Sequence, residues 1–295
     1  MIVVQLTGGL GNQLFQYAIG RALSIQSQDK LYIDISSYSW DTLRTYALTP
    51  FSIAAEIAPK TDVEFLKRLK PSFNDRILYK LKGQKTPYYK LPYIKEQCFA
   101  YDDNFEFFRK KNIYLEGYWQ SELYFKAIRS FLITDLSVVY EKFSLQGQQY
   151  RIQIERDPSS VSIHVRRGDY VSNSVTTDFH GLCDIQYYKH AIEKINLEIP
   201  NPTFYIFSDD KGYVKEIFQE QKNIVFIEHI PFDFEELLLM SYCKHNIIAN
   251  SSFSWWGAWL NTNINKIVIA PRRWFANNSM NQQTMDLLPK TWEKL

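Results

Sequence analysis

Arg166 and Arg167 stand side by side in the stretch SSVSIHVRRGDY, residues 159–170. A guanidinium keeps its charge at all working pH values and offers a planar fork of donors that matches phosphate oxygens. Two of them, with Gly168 permitting a tight turn, can make an anion site. The alternative is a structural cluster in which one arginine pairs with Asp169 and the other is solvated. Position favours the anion site. Alternation puts Val161, Ile163 and Val165 on one face of a strand and Ser162 and His164 on the other, leaving the arginines in the following loop. In doubly wound sheets, ligands gather at the carboxyl ends of strands.

The same rule selects three more loops. After the run TFYIF (203–207) come Ser208, Asp209 and Asp210; a strand-end carboxylate can accept from a ribose or a purine edge, or it can cap the next helix. After HNIIA (245–249) come Asn250, Ser251 and Ser252, which could seat a phosphate at a helix N-terminus or simply cap it. Trp255, Trp256 and Trp259 in that helix read as core. After the first strand comes Gly8-Gly9-Leu10-Gly11-Asn12-Gln13, which lacks the third glycine of a dinucleotide fingerprint and the Lys-Ser/Thr of a P-loop. A glycine-rich turn presenting backbone, Asn12 and Gln13 is the natural reading.

These loops need elements to hold them. From about residue 160, short β-rich runs alternate with helix-like segments (185–197, 210–221, 234–244 and 252–261), and two further runs, NIVFI (223–227) and KIVIA (266–270), bring the strands to five. Such alternation predicts a parallel sheet with crossover helices, an α/β fold. The first half opens the same way, with strand 1–6, a helix from about Asn12 to Gln26 and strand 30–35. It loses the rhythm over residues 40–110, then regains it with strand 113–117 and a helix over 121–132. Two domains follow, 1–158 and 159–295, divided near Arg156–Ser160.

Composition narrows the partners. Lys and Arg total 34 against 32 Asp and Glu, a formal charge of +2, too small for a dedicated nucleic-acid binder. Cys98, Cys183 and Cys243 are scattered and without metal or redox spacing, so reduced thiols are expected. No basic, apolar leader opens the sequence, and no run is long enough to span a bilayer, so a cytoplasmic location is expected. There is no Asp-x-Asp and no His/Cys/carboxylate cluster at ligand spacing. A bound diphosphate would have to be neutralised by arginine, with no metal cofactor.

Taken together, HVRRGDY (164–170), FYIFSDD (204–210), NSSFSWWGAWLN (250–261), GGLGNQLFQYAIGRAL (8–23) and EGYWQSELYF (116–125) resemble the family 11 glycosyltransferases, the α-1,2-fucosyltransferases. The first block is shared with other fucosyltransferases; the rest point to the α-1,2 family. The resemblance implies a GT-B architecture, two Rossmann-like domains facing a cleft, with the N-terminal one mainly on the acceptor side and the C-terminal one binding GDP-fucose. It implies inverting, metal-independent transfer to the 2-OH of a β-galactoside, in an oligosaccharide or lipid-linked glycan. Carried onto this sequence, Arg166 and Arg167 bind the diphosphate with Ser251 and Ser252, and His164 and Asp209 read the guanine. Asp169 braces the arginines or the donor. Asn12 reaches the β-phosphate or reacting centre, and Gly9, Gly11 and Gln13 belong to the same donor-side turn. For the base that takes the acceptor proton, Asp169, Asp178, His180 and Glu116 all stand open, and a dissociative transition state could do without a strong one. Transfer in another linkage, or a nucleotide-sugar-binding module without catalysis, are the competing functions.

Residues 60–95 hold ten Lys/Arg against three acids, interleaved with Phe65, Leu66, Leu69, Ile77, Leu78 and Leu81. The stretch reads as solvated surface or as a peripheral membrane contact.

Overall fold

The computed structural model describes residues 1–108, 111–167 and 181–295. They form two compact units, Met1–Ser137 and Val138–Leu295. The division falls earlier than Arg156–Ser160, and the reason is α5 (Leu145–Arg156), which belongs to the second unit. Its cap residue Ser144 is clasped by a carboxylate from α8 (Asp233–Tyr242): Glu235 Oε1 accepts from the Ser144 backbone N–H at 2.9 Å and Oε2 from its hydroxyl at 2.7 Å. Arg151 on α5 then lies 4.6 Å from the ring centroid of Tyr242.

In the first unit, five parallel strands run in the order β3-β2-β1-β5-β4. They are β1 (Ile2–Gln5), β2 (Leu31–Asp34), β3 (Glu56–Ile57), β4 (Tyr93–Lys95) and β5 (Ile113–Glu116). The central β1 is apolar on both faces, as a strand covered on both sides must be, and Ile2, Val3 and Val4 are fully buried. The long helix α1 (Leu10–Ser27) lies close against it because Gly20 leaves room; a methyl there would stand 2.5 Å from Val4 Cγ2 and 2.8 Å from Leu31 Cδ1.

The irregular stretch contains α2 (Lys60–Arg68) and α3 (Phe73–Leu81). Val63 and Leu66 anchor α2 on Val3 and Tyr114, whereas α3 buries none of its residues. The single helix expected over 121–132 is instead two 3-10 turns, Glu122–Tyr124 and Lys126–Ile128, before α4 (Arg129–Asp135). Phe125, at φ −142°, leaves the helical region between them and buries its ring.

The second unit holds six parallel strands in the order β11-β10-β9-β6-β7-β8. They are β6 (Ser160–Val165), β7 (Thr203–Ser208), β8 (Ile224–Phe226), β9 (His245–Ile247), β10 (Val268–Ala270) and β11 (Glu293–Lys294). The sixth, β11, is a two-residue edge too short to leave a sequence signature. Helices α6 (Ile185–Glu198), α7 (Lys211–Ile217), α8 and α9 (Ser252–Leu260) alternate with the strands. Although β6 alternates polar and apolar residues, both faces are buried. Its polar face is matched by Asn246 on β9, whose Nδ2 donates to Ser162 Oγ at 2.7 Å and whose Oδ1 accepts from Asn261 at 2.8 Å. Trp255 and Trp256 are fully buried and Trp259 nearly so, in the core of this unit. The fold is α/β, with two parallel sheets. Among the described residues, no helix is long and apolar enough to cross a membrane.

Candidate functional site

Strand order locates the ligand-binding end of each unit. In the second sheet the chain winds outward from β6 through β7 to β8, then returns to lay β9 on the other side of β6. The carboxyl ends of β6 and β9 therefore flank a topological switch point, where neighbouring loops part and leave a crevice. Arg166 and Arg167 follow β6; Asn250, Ser251 and Ser252 follow β9.

The pairing of Val165 with Ser208 brings the arginines beside the end of β7. There Asp209 holds both: its Oδ2 lies 2.8 Å from Arg166 Nη1, and its Oδ1 accepts the Arg167 backbone N–H at 2.8 Å. Asp210 caps α7 by accepting the Tyr213 N–H at 3.0 Å, and its other oxygen lies 3.4 Å from Arg167 Nε. The Arg167 guanidinium rests on the Tyr213 ring, 3.7 Å from its centroid. Both arginine side chains remain about a quarter exposed, 21% and 26%. They are thus fixed cations at the surface of the crevice, braced by carboxylates from the neighbouring strand end. Asp209, which the family resemblance gives to the guanine, thus engages both its oxygens with the arginine pair.

His164 ends the buried polar face of β6, 4% exposed, with its ring centroid 5.6 Å from that of Phe253 on α9. Burial, and then the Arg166 charge, push its pKa well down, so the imidazole is neutral. Its buried Nδ1 has no hydrogen-bond partner among the described residues. Ser251 caps α9, its Oγ accepting the Phe253 N–H at 3.3 Å, and Ser252 is the first helical residue, half-buried beside it. Asp169, Asp178 and His180 lie outside the described residues.

The first unit has its own switch point, between β1 and β5. After β1, Gly8 takes φ +76°, a left-handed conformation that favours glycine, and Gly9 opens α1 without a side-chain cap. A methyl at Gly8 would also meet Asn12 Nδ2 at 2.6 Å. Asn12 is half-buried, with its Oδ1 accepting from Gln120 Nε2 at 2.8 Å, which ties the glycine turn to the loop after β5. Gln16 makes a second tie, accepting from the Thr7 N–H and donating to the Gly117 carbonyl. Gly9 faces the Arg44 side chain, 3.8 Å from the position of an added methyl.

Two sequence expectations change here. Gln13 is fully buried and spends its amide on backbone: Nε2 donates to the Gly8 and Thr45 carbonyls, and Oε1 accepts the Ala47 N–H. It shapes the turn instead of facing a ligand, and Gly11 is likewise buried inside α1. Glu116, a candidate base, is paired with Lys95 at 2.9 Å and accepts the Tyr93 hydroxyl. Burial opposes its charge, but these partners outweigh it and hold its pKa below the ordinary value, which makes it a weak base.

Glu96, at the end of β4, is the contrasting carboxylate. Burial raises it to about 7, although its two oxygens accept the Tyr118 and Trp119 N–H groups at 2.7 and 2.9 Å. Glu96, Arg44 and Tyr213 escaped the motif reading. Strand-end position was a signal for Glu96, and spacing three residues after a cap was one for Tyr213; Arg44, in an irregular loop, left none.

Among the described residues, no group of three His, Cys, Asp or Glu stands together as a metal site.

The chain was compared with proteins of known kind. The profile of Glycosyl transferase family 11 matches residues 1–294. An alpha-1,2-colitosyltransferase of Escherichia coli is 34% identical over 308 residues, covering 100% of this chain and 99% of the relative. The O-antigen biosynthesis glycosyltransferase WbnK of Escherichia coli is 31% identical, covering 95% and 97%. More distant matches include animal galactoside α-(1,2)-fucosyltransferases. In fold, the chain is similar to the crystal structure of NodZ alpha-1,6-fucosyltransferase co-crystallized with GDP, with TM-score 0.51, 13% identity, and coverage of 87% of this chain and 90% of that one. A profile match over nearly the whole chain, with two full-length relatives above 30% identity, makes this protein a glycosyltransferase of family 11.

Proposed function

We propose that the chain is an inverting, metal-independent α-1,2-fucosyltransferase, moving fucose from GDP-fucose to the 2-OH of a terminal β-galactoside in a surface polysaccharide or its lipid-linked precursor. The observation that carries the reading is the braced pair Arg166 and Arg167 at the switch point of the second sheet. In the reaction, the bond from the anomeric carbon to the β-phosphate oxygen breaks and GDP leaves with the electron pair. The acceptor oxygen attacks from the opposite face and gives up its proton. Negative charge grows on the leaving diphosphate while positive charge grows on the sugar. Cations already fixed in place stabilise that charge without reorganising at the moment of reaction.

In this reading Arg166 and Arg167 neutralise the diphosphate, and Ser251 and Ser252 add hydroxyls and the N–H groups of the α9 N-terminus. The neutral His164 presents its Nδ1 as an acceptor for a guanine N–H. Asn12, held by Gln120, is the residue of the glycine-rich turn assigned to the donor phosphate or reacting centre. The reaction is assigned to the cytoplasm.

The full-length relative named as a colitosyltransferase supports a second reading, in which the linkage is the same and the transferred sugar is colitose. Incubation of the chain with GDP-fucose and lactose, with and without EDTA, tests the proposal. A 2′-fucosyl product formed equally in EDTA supports it. Hydrolysis alone, a different linkage, or dependence on metal sinks it.

A further inference from the structure

We infer that α3 is an interfacial helix that docks the protein on an anionic bilayer. The helix is a well-defined element. Ser72 caps it, accepting the Asp75 N–H at 3.1 Å, and the Lys82 N–H closes its last turn on the Leu78 carbonyl. Yet it buries nothing. Phe73, Ile77 and Leu81 recur every four residues and so form one stripe, with Leu78 at its side. Their exposures are 71%, 41%, 82% and 46%, and Phe65 on α2 is also open at 54%. A soluble surface scatters such side chains singly; a stripe of them on one short helix marks a contact face.

Charge identifies the occupant. Arg76, Lys80, Lys82 and Lys85 are all exposed, on and just beyond the same helix. Arg76, Lys80 and Lys85 have no ion pair among the described residues. The one acid of the helix, Asp75, is turned to its own cap, where it accepts the Ser72 hydroxyl. An apolar stripe bordered by uncompensated cations matches the boundary between acyl chains and anionic headgroups. A second copy of the chain fits poorly, because a two-fold contact would set these cations against their own images.

Sedimentation of the full chain with vesicles tests this. At low salt, the fraction bound to phosphatidylglycerol-containing vesicles is expected to exceed that on pure phosphatidylcholine by about ten-fold or more, and to fall at high salt. Leu81→Glu and the double change Lys80→Glu with Lys85→Glu should each remove most of the binding. Both leave the circular dichroism and the turnover of a soluble acceptor unchanged, because these side chains are exposed. The inference is overturned if wild type ignores the anionic lipid. It is also overturned if both variants bind as wild type does, or if ultracentrifugation finds a lipid-free dimer that Leu81→Glu dissociates.

Discussion

Asp209 binds the two arginines by different atoms: the Arg166 guanidinium through Oδ2 and the Arg167 backbone N–H through Oδ1, each at 2.8 Å. One carboxylate therefore fixes both the side chain of the first and the backbone of the second, so that the pair is set before any donor arrives. Arg167→Ala is expected to lower kcat/KM by about 2.7 kcal/mol or more, roughly a hundred-fold, on the scale of losing one preorganised oxyanion donor. Steady-state kinetics with varied donor measures it. Asp209→Asn should lower kcat/KM in the same direction by a smaller factor, since it keeps one acceptor and loses the charge that braces Arg166.

Tyr213 makes a separable contribution. Its ring lies under the Arg167 guanidinium at 3.7 Å, a contact worth about 0.5–2 kcal/mol. Tyr213→Leu should therefore weaken the donor parameters by about two- to thirty-fold, while Tyr213→Phe, which keeps the ring, stays near wild type. Equal losses in both variants would assign the effect to the hydroxyl.

Two groups should tilt stability with pH in opposite senses. The pKa of His164 is depressed in the folded protein by burial and Arg166. Below the ordinary imidazole value of about 6.5, the unfolded chain binds a proton that the fold refuses, and stability is lost as pH falls. Glu96 is raised to about 7, so from the ordinary carboxylate range up to 7 the fold holds a proton that the unfolded chain has released. Stability is then lost as pH rises through that window. Thermal unfolding followed across pH should show His164→Gln flattening the acid-side slope and Glu96→Gln flattening the opposing one. An unchanged slope in either variant removes that residue from the account.

Gly20 tests the packing that positions the glycine turn. Gly20→Ala puts a methyl 2.5 Å from Val4 Cγ2 and 2.8 Å from Leu31 Cδ1, so α1 or its neighbours must shift. Overpacking of this kind costs about 1–3 kcal/mol, more than the helix propensity of alanine returns. Denaturant unfolding gives the figure directly.

The alternation of strand and helix made the second unit legible from residues 160 onward, because parallel strands buried on both faces leave compact β-rich runs. The glycine turn, the arginine pair and the capping serines were legible because each follows such a run. Strand order was not, since the return of β9 to the flank of β6 is a long-range choice that no local pattern encodes. That order sets the β6 and β9 loops at one switch point. The unit boundary was missed for a similar reason: α5 looks like the end of the first half until Ser144 is seen bound to Glu235. Within 40–110, α2 commits only Val63 and Leu66 to the core and α3 commits nothing, too few apolar positions to set a period. The contacts of Asp209 with the arginine pair were equally invisible, because its partners come from another strand end.

We propose that the braced arginines serve transfer of a deoxyhexose from GDP to the 2-OH of a galactoside. The most direct measurement is product analysis after incubating wild type and Arg167→Ala with GDP-fucose and lactose in EDTA. The expected result is a 2′-fucosylated product from wild type, with release of GDP coupled to its formation, and a yield roughly a hundred-fold lower from Arg167→Ala. Free fucose without transfer, a product linked elsewhere, or an Arg167→Ala variant as active as wild type would contradict it.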